Sequence, residues 1–228
     1  IKEAQSSCRK SIRLARKLGF RYLELTLKPS LAQILAMKGN YSGAIKELLP
    51  VLVFADRFNL VDLKAKATWN LGGYYGQSHQ LEKSVHYLNE SIRLFTQVGS
   101  RYMAARVRIA LGQTYLLNGF TVSATNTFSA ARDEFRKLNQ PSGMIPATIF
   151  MCTALLALRK IPEIEDELRE NHKVLDDLID PNLTIAFNQV QAMVYVYSGR
   201  YLEAKKMFSM IVENAIGNGF THYAHGCR

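Results

Sequence analysis

The sequence repeats itself with a period of 40 residues, and this period limits the fold more than any other feature. A mostly small side chain recurs at one position of each repeat, and a larger apolar residue follows it four positions later. The first set is Ala4, Ala44, Ser84, Ala124, Ile164 and Ala204. The second set is Cys8, Leu48, Leu88, Phe128, Leu168 and Phe208. A fixed period of this length is typical of chains that stack copies of one supersecondary unit.

Within each repeat, the apolar residues have the spacing of helices. Ala44, Ile45, Leu48, Leu52 and Ala55 recur at steps of one, three and four residues, which places them on one helical face. No stretch of the chain alternates apolar and polar residues over the length of a strand. The pattern therefore predicts an all-α chain.

A turn signal divides each repeat into two helices. Gly39, Gly119 and Gly199 lie five residues before the small position, where a helix must end, and glycine tolerates the positive φ angle required there. His79 and Arg159 occupy the same position in the other two complete repeats. Each repeat is thus predicted to be an antiparallel helix hairpin.

These residues together resemble the tetratricopeptide repeat, over nearly the whole chain. The resemblance is carried by Leu71-Gly72, Tyr75 and Ser84, by Leu111-Gly112, Tyr115, Gly119 and Ala124, and in part by Tyr195, Gly199 and Ala204. It departs in length, because the family's usual repeat has about 34 residues. The six extra residues correspond to about 9 Å of helix, or roughly one additional turn on each helix if shared between them. The resemblance implies a right-handed α-solenoid of antiparallel helix hairpins.

The register predicts a single repeat array over residues 1–228, as a fragment of a larger protein. The expected boundaries are a half repeat at 1–20, repeats at 21–60, 61–100, 101–140, 141–180 and 181–220, and the start of another helix at 221–228.

The resemblance also implies a binding surface, because the first helices of such repeats line a concave groove whose exposed positions contact the partner. The candidates carried over by register are Lys66, Trp69, Gly73, Gln77, Arg106, Ile109, Gln113, Leu117, Ile149, Thr153, Ala157, Gln189, Met193 and Tyr197. This strip is basic at one edge and apolar or amide-bearing along its floor.

Trp69 is the single tryptophan of the chain, and Gly73 follows it one helical turn later. A wall without a side chain beside an indole would form a shallow pocket for an apolar anchor. Alternatively, Trp69 belongs to the core, and the glycines at 72, 73 and 76 allow close packing of helices. The sequence leaves both interpretations open.

The charge is distributed unevenly around a formal net value of +10. Residues 1–28 carry eight basic and two acidic side chains, a net +6, whereas residues 161–180 carry eight acidic and two basic ones, a net −6. These segments could be solvated helix faces. They could also attract an acidic protein partner, a nucleic-acid backbone, or the opposite end of another copy of the chain.

Nothing in the sequence indicates catalysis, a cofactor or a metal. Three scattered cysteines do not form a disulfide or zinc framework, and His222 and His225, near Cys227, are expected to be surface residues. No serine or cysteine lies in a nucleophile motif. Met144–Leu158 carries no charge, but at about 22 Å as a helix it is too short to cross a membrane, so it predicts a buried helix.

The leading hypothesis is a non-catalytic scaffold of the cytoplasm, or of the nucleus, that binds a peptide or partner subunit in the groove. Lys66 and Arg106 would attract acidic residues of that partner. The second hypothesis is a ligand- or peptide-sensing domain of a larger transcription regulator or signalling protein. The third is nucleic-acid binding through Arg9, Lys10, Arg13, Arg16 and Lys17, although this cluster wraps around its helix and no base-reading motif accompanies it.

Overall fold

The computed structural model describes residues 2–217, and this part of the chain folds into eleven α-helices without a strand. The helices are α1 (Lys2–Lys17), α2 (Arg21–Ala36), α3 (Tyr41–Arg57), α4 (Val61–Gln77), α5 (Leu81–Gln97), α6 (Arg101–Leu117), α7 (Thr121–Lys137), α8 (Pro141–Ala157), α9 (Ile161–Leu178), α10 (Pro181–Tyr197) and α11 (Tyr201–Gly217). The all-α hairpin fold is confirmed. The predicted helix at 221–228, with His222, His225 and Cys227, lies outside the described residues.

A residue with positive φ follows each of the first ten helices, so the repeat of 40 residues contains two equal steps of 20. These residues are Gly19, Gly39, Asn59, His79, Gly99, Gly119, Asn139, Arg159, Ile179 and Gly199. At most of these ends the next backbone N–H donates to a carbonyl five residues earlier, as in Asn40 to Leu35 at 3.0 Å and Ser100 to Phe95 at 2.8 Å. This is the Schellman arrangement, which satisfies carbonyls left over at a helix end.

The small residue near the start of most second helices lets that helix approach the first helix of its hairpin closely. In the α4–α5 hairpin, Ser84 is fully buried, and its hydroxyl donates to the carbonyl of Gly72 at 2.8 Å. A Cβ atom on Gly72 would lie 2.5 Å from Cγ of Leu88, which is too close for any side chain there. Hence the Leu-Gly pair and the small residue together bring the two helices into contact.

The helices form two compact units, Ile1–Asn118 and Gly119–Arg228, here called the N-terminal unit and the C-terminal unit. In the N-terminal unit, α2 to α5 enclose a core that includes Leu48 and Leu71. In the C-terminal unit, eleven residues of α8 are buried, as its charge-free sequence predicts. Among residues 2–217, no helix is both long and apolar enough to span a bilayer. The single array over 1–228 remains a prediction.

Ala124 occupies the small-residue position of α7 and is fully buried, so it tests the packing role of that position. We expect Ala124→Phe to destabilise the protein by about 1–3 kcal/mol, because the ring overpacks the joint. Urea unfolding followed by circular dichroism measures this change. Val122→Phe, at an exposed position of the same helix, should leave the unfolding free energy nearly unchanged, and an equal loss in both variants would contradict the packing argument.

Ile179 is the one β-branched residue among the positive-φ positions of the described chain, with φ 50° and 87% of its surface exposed. A left-handed backbone costs an L residue about 1–2 kcal/mol, and asparagine tolerates it best among the side-chain-bearing residues. We therefore expect Ile179→Asn to stabilise the protein by about 0.5–1 kcal/mol in thermal unfolding. Ile216→Asn, which removes an exposed isoleucine from helical backbone, should give no gain.

Candidate partner-binding face

In the N-terminal unit, the first helices of successive hairpins lie side by side, because α4 contacts both α2 and α6. We call the candidate positions on α4 and α6 the first-helix face. It consists of Lys66, Trp69, Gly73, Gln77, Arg106, Ile109 and Gln113. Within each helix these positions are three or four residues apart and therefore share one side of the helix. Lys66, Gln77 and Arg106 are exposed, and the other members are partly buried.

Trp69 has one side on the core and the other beside a charged group. Its ring lies edge-on to the buried ring of Phe95, with the centroids 6.4 Å apart. From α6, the guanidinium carbon of Arg106 lies 5.1 Å from the centre of the indole. This distance is typical of a cation–π contact, worth about 0.5–1 kcal/mol at an exposed site. The structure thus combines the two interpretations of Trp69, since the ring is anchored in the core and still partly exposed.

The three glycines of α4 have different surroundings. Cβ atoms on Gly72 and Gly76 would meet Leu88, and Ser84 and Thr114, at 3.0 Å or less, so these two glycines serve helix packing. A Cβ atom on Gly73 would have no neighbour within 4 Å. Close packing therefore does not explain Gly73, which leaves an open surface one turn from Trp69.

The two basic residues of the first-helix face differ in their partners. The ammonium of Lys66 lies 2.6 Å from a carboxylate oxygen of Asp62 on the same helix, and both side chains are more than half exposed. Such surface pairs contribute little stability, so Lys66 is still able to exchange partners. Arg106 lies over Trp69 instead. An acidic group of a ligand would therefore meet a cation already positioned against an apolar ring.

Among the corresponding positions of the C-terminal unit, on α8 and α10, one is buried. Ile149 is only 8% exposed, so it offers no anchor surface, unlike the role given to it by the register. Thr153 is exposed, but its hydroxyl donates to the carbonyl of Ile149 at 2.8 Å. Gln189 and Met193 are partly buried. Ile149 is buried because α8 contacts α7, α9 and α10 and is apolar nearly all around its circumference.

Two cation–π contacts at the ends of α8 and α10 were missed from the sequence. The guanidinium of Arg159 lies 5.2 Å from the ring centre of Tyr197, and that of Arg200 lies 4.3 Å from Tyr195. Arg200 also forms an ion pair with Glu203. The sequence signal that could have predicted these contacts was a pair of tyrosines near the end of α10, combined with the arginines in the turns at 159 and 200.

The N-terminal basic cluster is partly neutralised within the fold. Arg16 and Arg21 each place a guanidinium nitrogen 2.8 Å from a carboxylate oxygen of Glu24, whose side chain is 2% exposed. Burial raises the pKa of Glu24, but the hydrogen bonds and charges of Arg16 and Arg21 outweigh burial and hold the pKa below its usual value. Consequently, Arg16 is already engaged in an ion pair and is a poor candidate for a phosphate contact.

Two further features concern potential metal ligands and a buried thiol. No group of three or more potential metal ligands occurs among residues 2–217. The buried thiol of Cys152 has its pKa raised to about 12, first by burial and then by the charge of Glu167. At neutral pH this thiol is protonated, and it is enclosed by the helices around α8.

Comparison with solved structures places this fold among repeat proteins. BtubC from P. vanneervenii superposes with a TM-score of 0.81 at 13% identity, covering 96% of this chain and 92% of that chain. A Rap protein complexed with Competence and Sporulation Factor gives 0.70 at 13% identity, covering 99% and 68%. The tetratricopeptide repeat sensor PH0952 from Pyrococcus horikoshii, a signal-transduction ATPase with numerous domains, gives 0.74 at 14% identity, covering 97% of this chain and 35% of that chain. The fold is tetratricopeptide-like.

These likenesses concern the fold, because the sequence identities are 13–14%. No family model and no curated protein sequence matches the chain.

Gly73 distinguishes a packing role from a contact role. Because the site of its missing Cβ is open, Gly73→Ala should raise the unfolding free energy by about 0.5–1 kcal/mol, the usual gain for replacing glycine inside a helix. Gly72→Ala is the matched control and should destabilise, since its Cβ would clash with Leu88. Thermal unfolding of the two variants measures both changes, and a loss of stability in Gly73→Ala would refute the open surface.

Glu24 gives the fold a dependence on pH. Because its pKa in the folded protein is lowered, its stabilisation is complete above the unfolded value of about 4.3 and is lost as the pH falls through the lower folded value. We expect Glu24→Gln to lower stability at pH 7 by about 1–2 kcal/mol and to make the acid-side loss of stability shallower. The measurement is urea unfolding between pH 7 and pH 3, with the exposed Glu82→Gln as the control.

Proposed function

We propose that the protein is a non-catalytic scaffold that binds a peptide or a segment of a partner protein along the first-helix face of the N-terminal unit. The observation that carries this proposal is the Arg106–Trp69 pair, which joins an exposed cation to an indole anchored against Phe95. Partly buried aromatic rings and arginine are the residue types that most often dominate the energy of protein interfaces. The open surface at Gly73 lets a ligand backbone approach the ring.

The partner segment is expected to be acidic and to contain an apolar anchor. Lys66 and Arg106 would attract carboxylates, while Trp69 and Ile109 would bury the anchor. The amides of Gln77 and Gln113 provide hydrogen-bond donors and acceptors for a peptide backbone. We place this activity in the cytoplasm or the nucleus, with self-association through the opposite charges of 1–28 and 161–180 as a further mode of interaction.

A sensing role is the second candidate, favoured by a pocket of about 420 Å³ between α9 and α10 in the C-terminal unit. Its lining combines the buried apolar residues Leu168, Phe187 and Val194 with two arginines, Arg169 and Arg200, and one acid, Glu165. A small organic anion filling this space would bridge two neighbouring hairpins. The solved sensor of similar fold belongs to a larger signalling protein, of which this chain spans about a third.

Affinity capture tests the leading proposal. The immobilised protein is incubated with lysate from the source organism, washed at two salt concentrations, and the bound proteins are identified by mass spectrometry. We expect one or a few stoichiometric proteins that survive the high-salt wash, because an apolar anchor does not depend on charge. Capture of nucleic acid alone, lost at high salt, would instead indicate phosphate contacts.

A double variant shows whether the captured protein uses the proposed face. Trp69→Ala with Arg106→Glu should abolish capture while the helical circular dichroism signal remains unchanged, since it removes the anchor and reverses the charge. Lys83→Glu, an exposed residue of α5, reverses a charge away from the first-helix face and should leave capture intact. Undiminished capture by the double variant would refute the assignment of this face.

A further inference from the structure

A second pocket of the C-terminal unit, of about 600 Å³, lies between the end of α7, the start of α8 and the middle of α9. Its lining combines the apolar side chains of Pro141, Met144 and Val174 with the amide of Asn171, and Arg136 and Glu170 lie at its mouth. Its volume is within the range of pockets that hold small ligands. It uses none of the residues of the first-helix face.

The same position exists in the N-terminal unit, where it is much smaller. Six of the eight residues that line the larger pocket have equivalents two repeats earlier, from Asp56 to Leu94, that line a pocket of about 270 Å³ between α3, α4 and α5. There, Lys64 crosses the joint, with its ammonium 2.6 Å from a carboxylate oxygen of Asp56 and 4.0 Å from one of Glu90. This lysine and its ion pairs occupy the space.

In the larger pocket the bridging lysine is absent. Met144 replaces Lys64 and Arg136 replaces Asp56, so the remaining pair is Arg136–Glu170, 3.8 Å apart at the mouth. The thioether of Met144 is 8% exposed and forms part of an apolar wall. The substitutions therefore convert a joint closed by charge into an open pocket with an apolar interior.

Asn171 is the buried polar residue of the pocket lining, beside Met144 and Val174. The residue is 98% buried, and its equivalents in other repeats are Val51, Ser91, Ala131 and Ile211. Ser91 is satisfied by the carbonyl of Ala65 at 2.8 Å. Asn171 donates from Nδ2 to the carbonyl of Glu167 at 2.8 Å, but its Oδ1 accepts no hydrogen bond from any residue of the described chain. An acceptor that lines the pocket and has no partner within the described chain favours a ligand that supplies a donor.

We propose that this pocket binds an aromatic ring carrying a hydrogen-bond donor, and specifically the tyrosine side chain of a polypeptide partner. The phenol hydroxyl donates to Oδ1 of Asn171, and the ring packs against Val174 and the thioether of Met144, a contact that sulfur favours. A cationic side chain would meet the guanidinium of Arg136 at the mouth. A purely aliphatic side chain would leave Oδ1 without a partner.

Methionine-methyl NMR tests the proposal directly. The probes are N-acetyltyrosinamide and N-acetylphenylalaninamide, added to protein labelled with ¹³C at the methionine methyl groups, with the Met144 signal assigned by Met144→Leu. We expect a saturable ring-current shift of Met144 and an affinity about 3- to 10-fold higher for the tyrosine probe, which alone supplies the hydroxyl donor. No saturable shift, or equal affinity of the two probes, would overturn the proposal.

Two variants borrow the residues of the smaller pocket as controls. Asn171→Ser, which mimics Ser91, should abolish the preference for tyrosine over phenylalanine, and a preserved preference would overturn the role of Asn171. Met144→Lys, which mimics Lys64, should abolish binding of both probes, followed at the backbone amide of Val174. Should its circular dichroism reveal misfolding, Val174→Lys at the partly exposed wall replaces it, followed at the Met144 methyl group. Undiminished binding of the probes to either folded lysine variant would show that they do not bind in this pocket.

A third probe distinguishes a tyrosine of a polypeptide from a small free phenol as the ligand of this pocket. Para-cresol carries the ring and hydroxyl of tyrosine without the peptide backbone. We expect it to bind at least 3-fold more weakly than N-acetyltyrosinamide, because the amides of Asn139 and Gln140 at the rim are available to the backbone of a peptide. Equal affinity of p-cresol would overturn the polypeptide source.

Discussion

A left-handed backbone residue after each of the first ten described helices is the constraint on which the rest of the structure depends. These residues recur at 20-residue steps from Gly19 to Gly199, so the first ten described helices are nearly equal in length and end at equal intervals along the chain. Equal helices keep one register, and a given position therefore has the same surroundings in repeat after repeat. Glycine and asparagine adopt this backbone readily, whereas His79, Arg159 and Ile179 adopt it at a cost. Packing between neighbouring helices keeps the 20-residue spacing at these three positions, although their side chains disfavour a left-handed backbone.

This regular register makes the exceptions informative. Gly72 and Gly76 are required by neighbouring side chains, whereas Gly73 lies in open space beside Trp69. Similarly, Met144 and Asn171 occupy positions where the N-terminal unit has a lysine with ion pairs and a satisfied serine. When a residue differs from those at the equivalent position of the other repeats, and no contact within the chain explains the difference, we infer a contact outside the chain. Both binding proposals depend on such departures, in separate units.

The 40-residue period was enough to predict the fold, because the same packing positions recur in one repeat after another. Helix type, hairpin turns and the buried small residue all follow from residues such as Ser84 and Ala124. The site was less predictable, because the register predicts on which face of a helix a residue lies but not how deeply that residue is buried. Ile149 has the register of a groove residue and yet is buried, since its neighbours surround α8. The Arg106–Trp69 contact and the pocket at Asn171 depend on side chains from different helices, which a one-dimensional pattern does not bring together.

Site-specific photo-crosslinking tests most directly whether the first-helix face binds the partner. A benzophenone amino acid is introduced at Gln77, on that face of α4, and in a separate protein at Glu82, an exposed position of α5. After irradiation with the captured partner, covalent adducts are counted for each position. The account predicts adducts at residue 77 and few or none at residue 82. Adducts at residue 82 without any at residue 77 would contradict it.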